Sequence, residues 1–114
     1  MKPHRGAEAE ALAAEFLERQ GLRVLQRNYR CRLGEIDLVA RDGDTTVFVE
    51  VRQRASGAFG GAAASITAKK RMRLLRAARF YLSHLQALPA CRFDALLIEG
   101  EPPRIDWIRN AFGE

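Results

Sequence analysis

Apolar positions along the 114-residue chain change period several times, and each change marks an element. Ala9, Leu12, Ala13, Phe16 and Leu17 recur at helical spacing, which predicts a helix from Arg5 to Gln20, ended by Gly21. Glu8, Glu15 and Glu18 fall opposite that stripe. Glu10 stands at its edge, three, four and seven residues before Ala13, Ala14 and Leu17. Leu22 to about Cys31 reads as a partly exposed strand. From Gly34 to Arg54 the period becomes two. Ile36, Leu38 and Ala40 are expected on one face of a strand, with Glu35 and Asp37 on the other. Val47, Val49 and Val51 share one face of the next strand, opposite Phe48, Glu50, Arg52 and Arg54. Asp42-Gly43-Asp44 between them is a hairpin turn. Ala55 to Ala64 is a glycine- and alanine-rich connection with one large apolar residue, Phe59, suited to ordering on binding. It lacks Walker spacing. A second helix is predicted from a Ser65 cap to about Leu88, with Met72, Leu75, Ala78, Leu82 and Leu85 buried and Lys69, Arg73 and Arg76 on another face. Pro89 stops it. Arg92 to Glu99 is apolar enough for a central strand, Gly100 to Pro103 is a turn, and Arg104 to Ile108 is a short last strand before a loosely held tail. The order α-β-β-β-α-β-β predicts an α/β (α+β) fold, a mixed β-sheet flanked by helices. The long helix is the crossover that sets its following strand parallel to an earlier one.

Composition adds bounds. Residues 1–114 suffice for a single domain, and hydrophobic content of 47% with 29% charged residues is ordinary for a globular chain. MKPHRGAEAE has no apolar segment of a secretory signal, and no apolar run approaches the roughly 20 residues of a membrane helix. A cytoplasmic protein without a membrane partner is expected, with Cys31 and Cys91 as isolated reduced thiols. His84 reads as a residue of the helix end rather than a ligand. The net charge is +5, unevenly placed: nine acidic residues occur up to Glu50 and none follows until Asp94. Nine basic residues lie between: Arg52, Arg54, Lys69, Lys70, Arg71, Arg73, Arg76, Arg79 and Arg92. Such a block suits a polyanion, nucleic acid foremost; the bland alternative is a solvated helix face. Arg27, Arg30 and Arg32 with Tyr29 form a smaller basic and aromatic patch.

The candidate chemistry centres on Asp37 and Glu50. Asp37 stands five residues before Asp42 and Glu50 six after Asp44, which puts both at nearly one level on strands about 4.8 Å apart. Two carboxylates so placed can share a hard divalent cation, Mg²⁺ or Mn²⁺, which activates water and steadies a phosphoryl transition state. Glu10 is a candidate third ligand. Arg52, about 7 Å along the strand from Glu50, is placed to hold a phosphate. Asp37 and Glu50 serve equally as half of a structural ion cluster with Arg52, Arg54 or Arg32, and the carboxylates alone favour that reading. The basic helix shifts the balance towards a phosphodiester site. So does the lack of a Ser/His/Asp pattern, a reactive cysteine context or zinc spacing.

The stretch GEIDLVARDGDTTVFVEVRQR resembles the signature of the YraN-like family of small bacterial proteins. RGAEAEALAAEFLERQGLRVLQRNYRCR, the lysine-led helix, RFDALLIE and IRNAF extend the resemblance over most of the chain. That family is in turn similar to the PD-(D/E)XK nucleases, especially the archaeal Holliday-junction resolvases. The resemblance implies a restriction-endonuclease-like core with a metal site on the hairpin. It also implies cleavage of structured or branched DNA and a possible homodimer on two-fold substrates. By position Asp37 matches the motif aspartate, Glu50 the acidic residue of the E-x-K element, and Glu10 the helix glutamate of the resolvase branch. Arg52 falls where the motif has lysine, and an arginine stays protonated and cannot serve as a base. The expected site is therefore catalytic Asp37, Glu50 and Arg52, metal-binding Glu10, Asp37 and Glu50, and DNA-contacting Arg32, Arg54, Lys69, Lys70, Arg73 and Arg76. Three functions follow: a metal-dependent endonuclease, a nucleic-acid binder without turnover, or a small module whose basic helix docks an acidic protein.

Overall fold

The computed structural model describes residues 5–54 and 67–112. Helix α1 (Arg5–Arg19) precedes strands β1 (Arg23–Cys31), β2 (Gly34–Asp42) and β3 (Thr45–Arg54). Helix α2 (Ala68–Leu82), β4 (Ala90–Glu99) and β5 (Arg104–Phe112) follow. The fold is α+β, with the predicted order and a mixed sheet. Its five strands lie side by side in chain order, β3 and β4 parallel and all other neighbours antiparallel. A parallel pair cannot be joined by a tight turn, and α2 lies in the crossover between β3 and β4. The glycine- and alanine-rich connection and Ser65 fall outside the described residues. No described helix is long and apolar enough to cross a membrane.

Each face of the sheet carries one helix because each face carries its own apolar set. Ala9, Ala13, Ala14 and Leu17 of α1 pack on Leu38, Ala40, Val47, Val49, Val51, Leu96 and Ile98. Leu74, Ala77 and Ala78 of α2 pack on Ile36, Val39, Phe48 and Phe93. The α1 stripe is the expected one with Ala14 added. Glu18 is exposed, yet its Oε2 accepts the Val24 N–H at 2.9 Å and ties the helix to β1. Gly21, at φ +97°, makes the turn between them.

Five expectations need correction. Ile36 does not share a face with Leu38 and Ala40: it packs under α2 and they pack under α1, so the pleat breaks at Asp37. Tyr29 is not part of an exposed patch; it packs edge-on against Tyr81 with centroids 5.3 Å apart. Helix α2 starts at a Thr67 cap and ends at Leu82, not near Leu88. The Ser83 hydroxyl and His84 Nδ1 both donate to the Phe80 carbonyl, at 2.6 and 2.8 Å, and the His84 N–H turns to Tyr81 instead. These local bonds compete with the next helical turn. The α2 stripe consists of Leu74, Ala77 and Ala78, flanked by Leu75, Tyr81 and Leu82, while Met72 and Leu85 are 49% and 39% exposed. Finally, β5 does not stop at Ile108 but continues to Phe112. Asn110, at φ +54°, kinks the strand and donates its N–H to Asp94 Oδ1 at 2.9 Å.

Candidate metal and phosphate cleft

The hairpin register pairs Asp42 with Thr45 and runs unbroken to Leu38 opposite Val49. One further step brings Asp37 opposite Glu50, the level expected from counting out of the turn. At that step the ladder gives way to a side chain: Asp37 Oδ2 accepts the Val51 N–H at 2.8 Å. The divergence of β2 from β3 opens a cleft of about 340 Å³ lined by Ala9, Glu10, Glu35, Asp37, Glu50, Val51, Arg52, Gln53, Lys70 and Arg73. Glu10 enters from α1, next to the buried Ala9, because the edge of the apolar stripe overhangs this end of the sheet.

The three carboxylates share the cleft, and Asp37 acts on both of the others. Burial, followed by the charge and hydrogen bond of Asp37, pushes Glu10 up to about 7, with Arg30 opposing. Burial and then the charge of Asp37 push Glu50 up to about 8, against the pull of Arg52 and Lys70. Asp37 is also raised, by burial, against the opposing hydrogen bonds from Val51 and Glu50. Asp37 and Glu50 titrate as a linked pair. Arg52 stands on the cleft wall with its Nη1 3.9 Å from Glu50 Oε2.

A structural ion cluster does exist in this fold, and it lies elsewhere. Asp94, fully buried, accepts from Arg92 Nε at 3.0 and 3.2 Å, Trp107 Nε1 at 2.9 Å and the Asn110 N–H. Arg92 Nη2 stands 3.0 Å from Asp42 Oδ2, close enough for an ion pair though not aligned as a hydrogen bond. There one carboxylate meets several donors; in the cleft, carboxylates meet one another. Crowded, buried carboxylates with raised pKa values are the donor set that a hard divalent cation suits. As the side chains stand, no three such groups among the described residues converge in metal-binding geometry.

The structure divides the other expected site residues. Lys70 and Arg73 line the cleft; the exposed Lys69 and Arg76 do not. Arg32 is exposed in the β1–β2 turn, away from the cleft lining. The Arg54 side chain lies outside the described ones. Glu35 and Gln53 were missed. Glu35 sits two residues before Asp37, a strand spacing that signalled it, and Arg30 Nε lies 3.7 Å from its Oε1. Gln53 directly follows Arg52 and also lines the cleft.

The profile described as Uncharacterised protein family UPF0102, the YraN family, matches residues 9–98. A UPF0102 protein of Nitrosomonas europaea is 58% identical over 112 residues, covering 97% of this chain and 95% of its own length. A UPF0102 protein of Nitrosospira multiformis is 55% identical over 95% of this chain and 92% of its own length. One from Dechloromonas aromatica is 57% identical, covering 95% and 88%.

Proposed function

We propose that this chain, which belongs to the UPF0102 family, is a divalent-metal-dependent endonuclease acting on structured or branched DNA. One observation carries the reading: Glu10, Asp37 and Glu50 line the same cleft as Arg52, Lys70 and Arg73. Buried carboxylates crowded around Asp37 gain from a cation, and cations beside them give a phosphodiester somewhere to bind. Glu10, Asp37 and Glu50 would hold Mg²⁺ or Mn²⁺, which when bound supplies an activated water and charge neutralisation at the phosphate. Val51 orients Asp37 through its N–H, and Arg52 holds the phosphate beside Glu50. Arg52 takes no proton from the attacking water, because a guanidinium stays protonated throughout the working pH range. The resemblance of the hairpin to the resolvase branch supports branched DNA as substrate and a homodimer as the working form. Arg52 in place of a lysine also favours a second reading, a DNA-binding protein on the nuclease fold that has lost turnover.

The test incubates purified protein with Mn²⁺ and branched, nicked and single-stranded DNA. Cutting of branched DNA is expected, reduced by more than about 100-fold in Asp37→Asn and Glu50→Gln, since loss of a ligand exceeds the effect of losing its outer partners. If all three substrates survive and Arg52→Lys also leaves them intact, the endonuclease reading fails and the binder remains.

A further inference from the structure

Resting on that reading, we infer that Lys70 and Arg73 form a phosphate clamp on α2, held over the carboxylates by the absence of a side chain at Gly34. The basic face of α2 appears uniform in sequence, with Lys69, Lys70, Arg71, Arg73, Arg76 and Arg79 all exposed. Only Lys70 and Arg73 line the cleft. The reason is periodicity. Lys70 precedes Leu74, Ala77 and Tyr81 by four, seven and eleven residues, so it continues the stripe that packs on the sheet. The stripe runs off the sheet where β2 and β3 part, and there it becomes a lysine. Arg73, three residues on, shares that side.

Two further features fix the arrangement. Thr67 Oγ1 accepts the Lys70 N–H at 3.2 Å, and the Thr67 carbonyl accepts from Arg71 at 3.0 Å, which holds the first turn. Gly34, three residues before Asp37, is buried against the α2 backbone, and a Cβ there would overlap the Arg73 carbonyl. The helix could not lie this close to the start of β2 with any side chain at position 34. The first turn of α2 contains no acidic residue, and Lys69, Lys70, Arg71 and Arg73 form no contact ion pair among the described residues. Cations at the positive end of a helix dipole oppose one another and the dipole, and an anion relieves both. The Lys70 ammonium is a compact point charge of the kind β3 lacks with Arg52. The ligand is the phosphodiester entering the cleft.

The experiment measures binding of a labelled four-way DNA junction in Ca²⁺ across a salt series. Lys70→Ala and Arg73→Ala are each expected to weaken binding by about tenfold or more and to lower the salt slope by roughly one. Lys70→Arg and the control Arg79→Ala are expected to stay within about threefold of the parent. If the parent binds and both alanine variants lose no more than Arg79→Ala, the clamp is overturned while the endonuclease reading stands. If the parent binds no junction, the endonuclease reading fails first. Gly34→Ala, checked for native circular dichroism, is expected to share the Lys70→Ala loss; parent-like affinity in the folded variant would remove Gly34 from the clamp.

Discussion

Glu50 has only 13% of its side chain exposed and faces Asp37 across the hairpin. At neutral pH it keeps a proton that a free glutamate loses. The consequence for stability has a definite sign. The folded pKa is raised to about 8 from 4.5, and that of Glu10 to about 7, so the native state binds more protons than the unfolded chain between those limits. The contribution is fully present below the unfolded value and is lost as pH rises through the folded one. The melting temperature of the metal-free protein is therefore expected to fall from pH 5 to pH 8. Glu50→Gln, which cannot ionise, is expected to flatten that fall. A thermal melt across this pH range checks it; a profile equally steep in parent and variant would place the linkage elsewhere. Much of this site was legible by counting residues from the turn. The bond from Val51 to Asp37 was not, because it depends on the two strands parting at that residue.

Helix α2 and the β4–β5 pair show where element-scale reading of a sequence succeeds and fails. The hairpin was legible because Asp42-Gly43-Asp44 and period-two alternation agree. In α2, Met72, Leu75, Ala78, Leu82 and Leu85 also have helical spacing, and small alanines conceal the packed side. Ala77 is buried where a large residue would hold the helix off the sheet. Leu74→Ala is expected to cost about 2–5 kcal/mol and Met72→Ala under about 0.5 kcal/mol, measured by denaturant unfolding. Equal losses would contradict the observed stripe. The length of β5 was hidden because Asn110 is held by Asp94, sixteen residues earlier, and no local pattern records that. Asp94→Ala strands the partly buried Arg92 and the Trp107 donor. It is expected to cost about 3–5 kcal/mol by the same measurement, the usual loss on breaking a buried pair. A cost below that of Met72→Ala would deny the cluster its structural role.

At the scale of the whole molecule, charge and topology meet in one place. The parts of β2 and β3 carrying Asp37 and Glu50, with Glu10 of α1, open beside the first turns of the basic helix, so an acidic centre is bordered by cations. A chain of net charge +5 with this distribution is expected to bind DNA with a steep salt dependence. Under the proposed function, the three carboxylates form a divalent-metal site. Calorimetric titration of Mn²⁺ at pH 7, repeated in buffers of different ionisation enthalpy, tests it directly because it counts protons as well as ions. One saturable site is expected, whose filling releases protons from Glu10 and Glu50, with affinity rising towards pH 8 and disappearing in Asp37→Asn. Binding without proton release, or binding that survives Asp37→Asn unchanged, would contradict it.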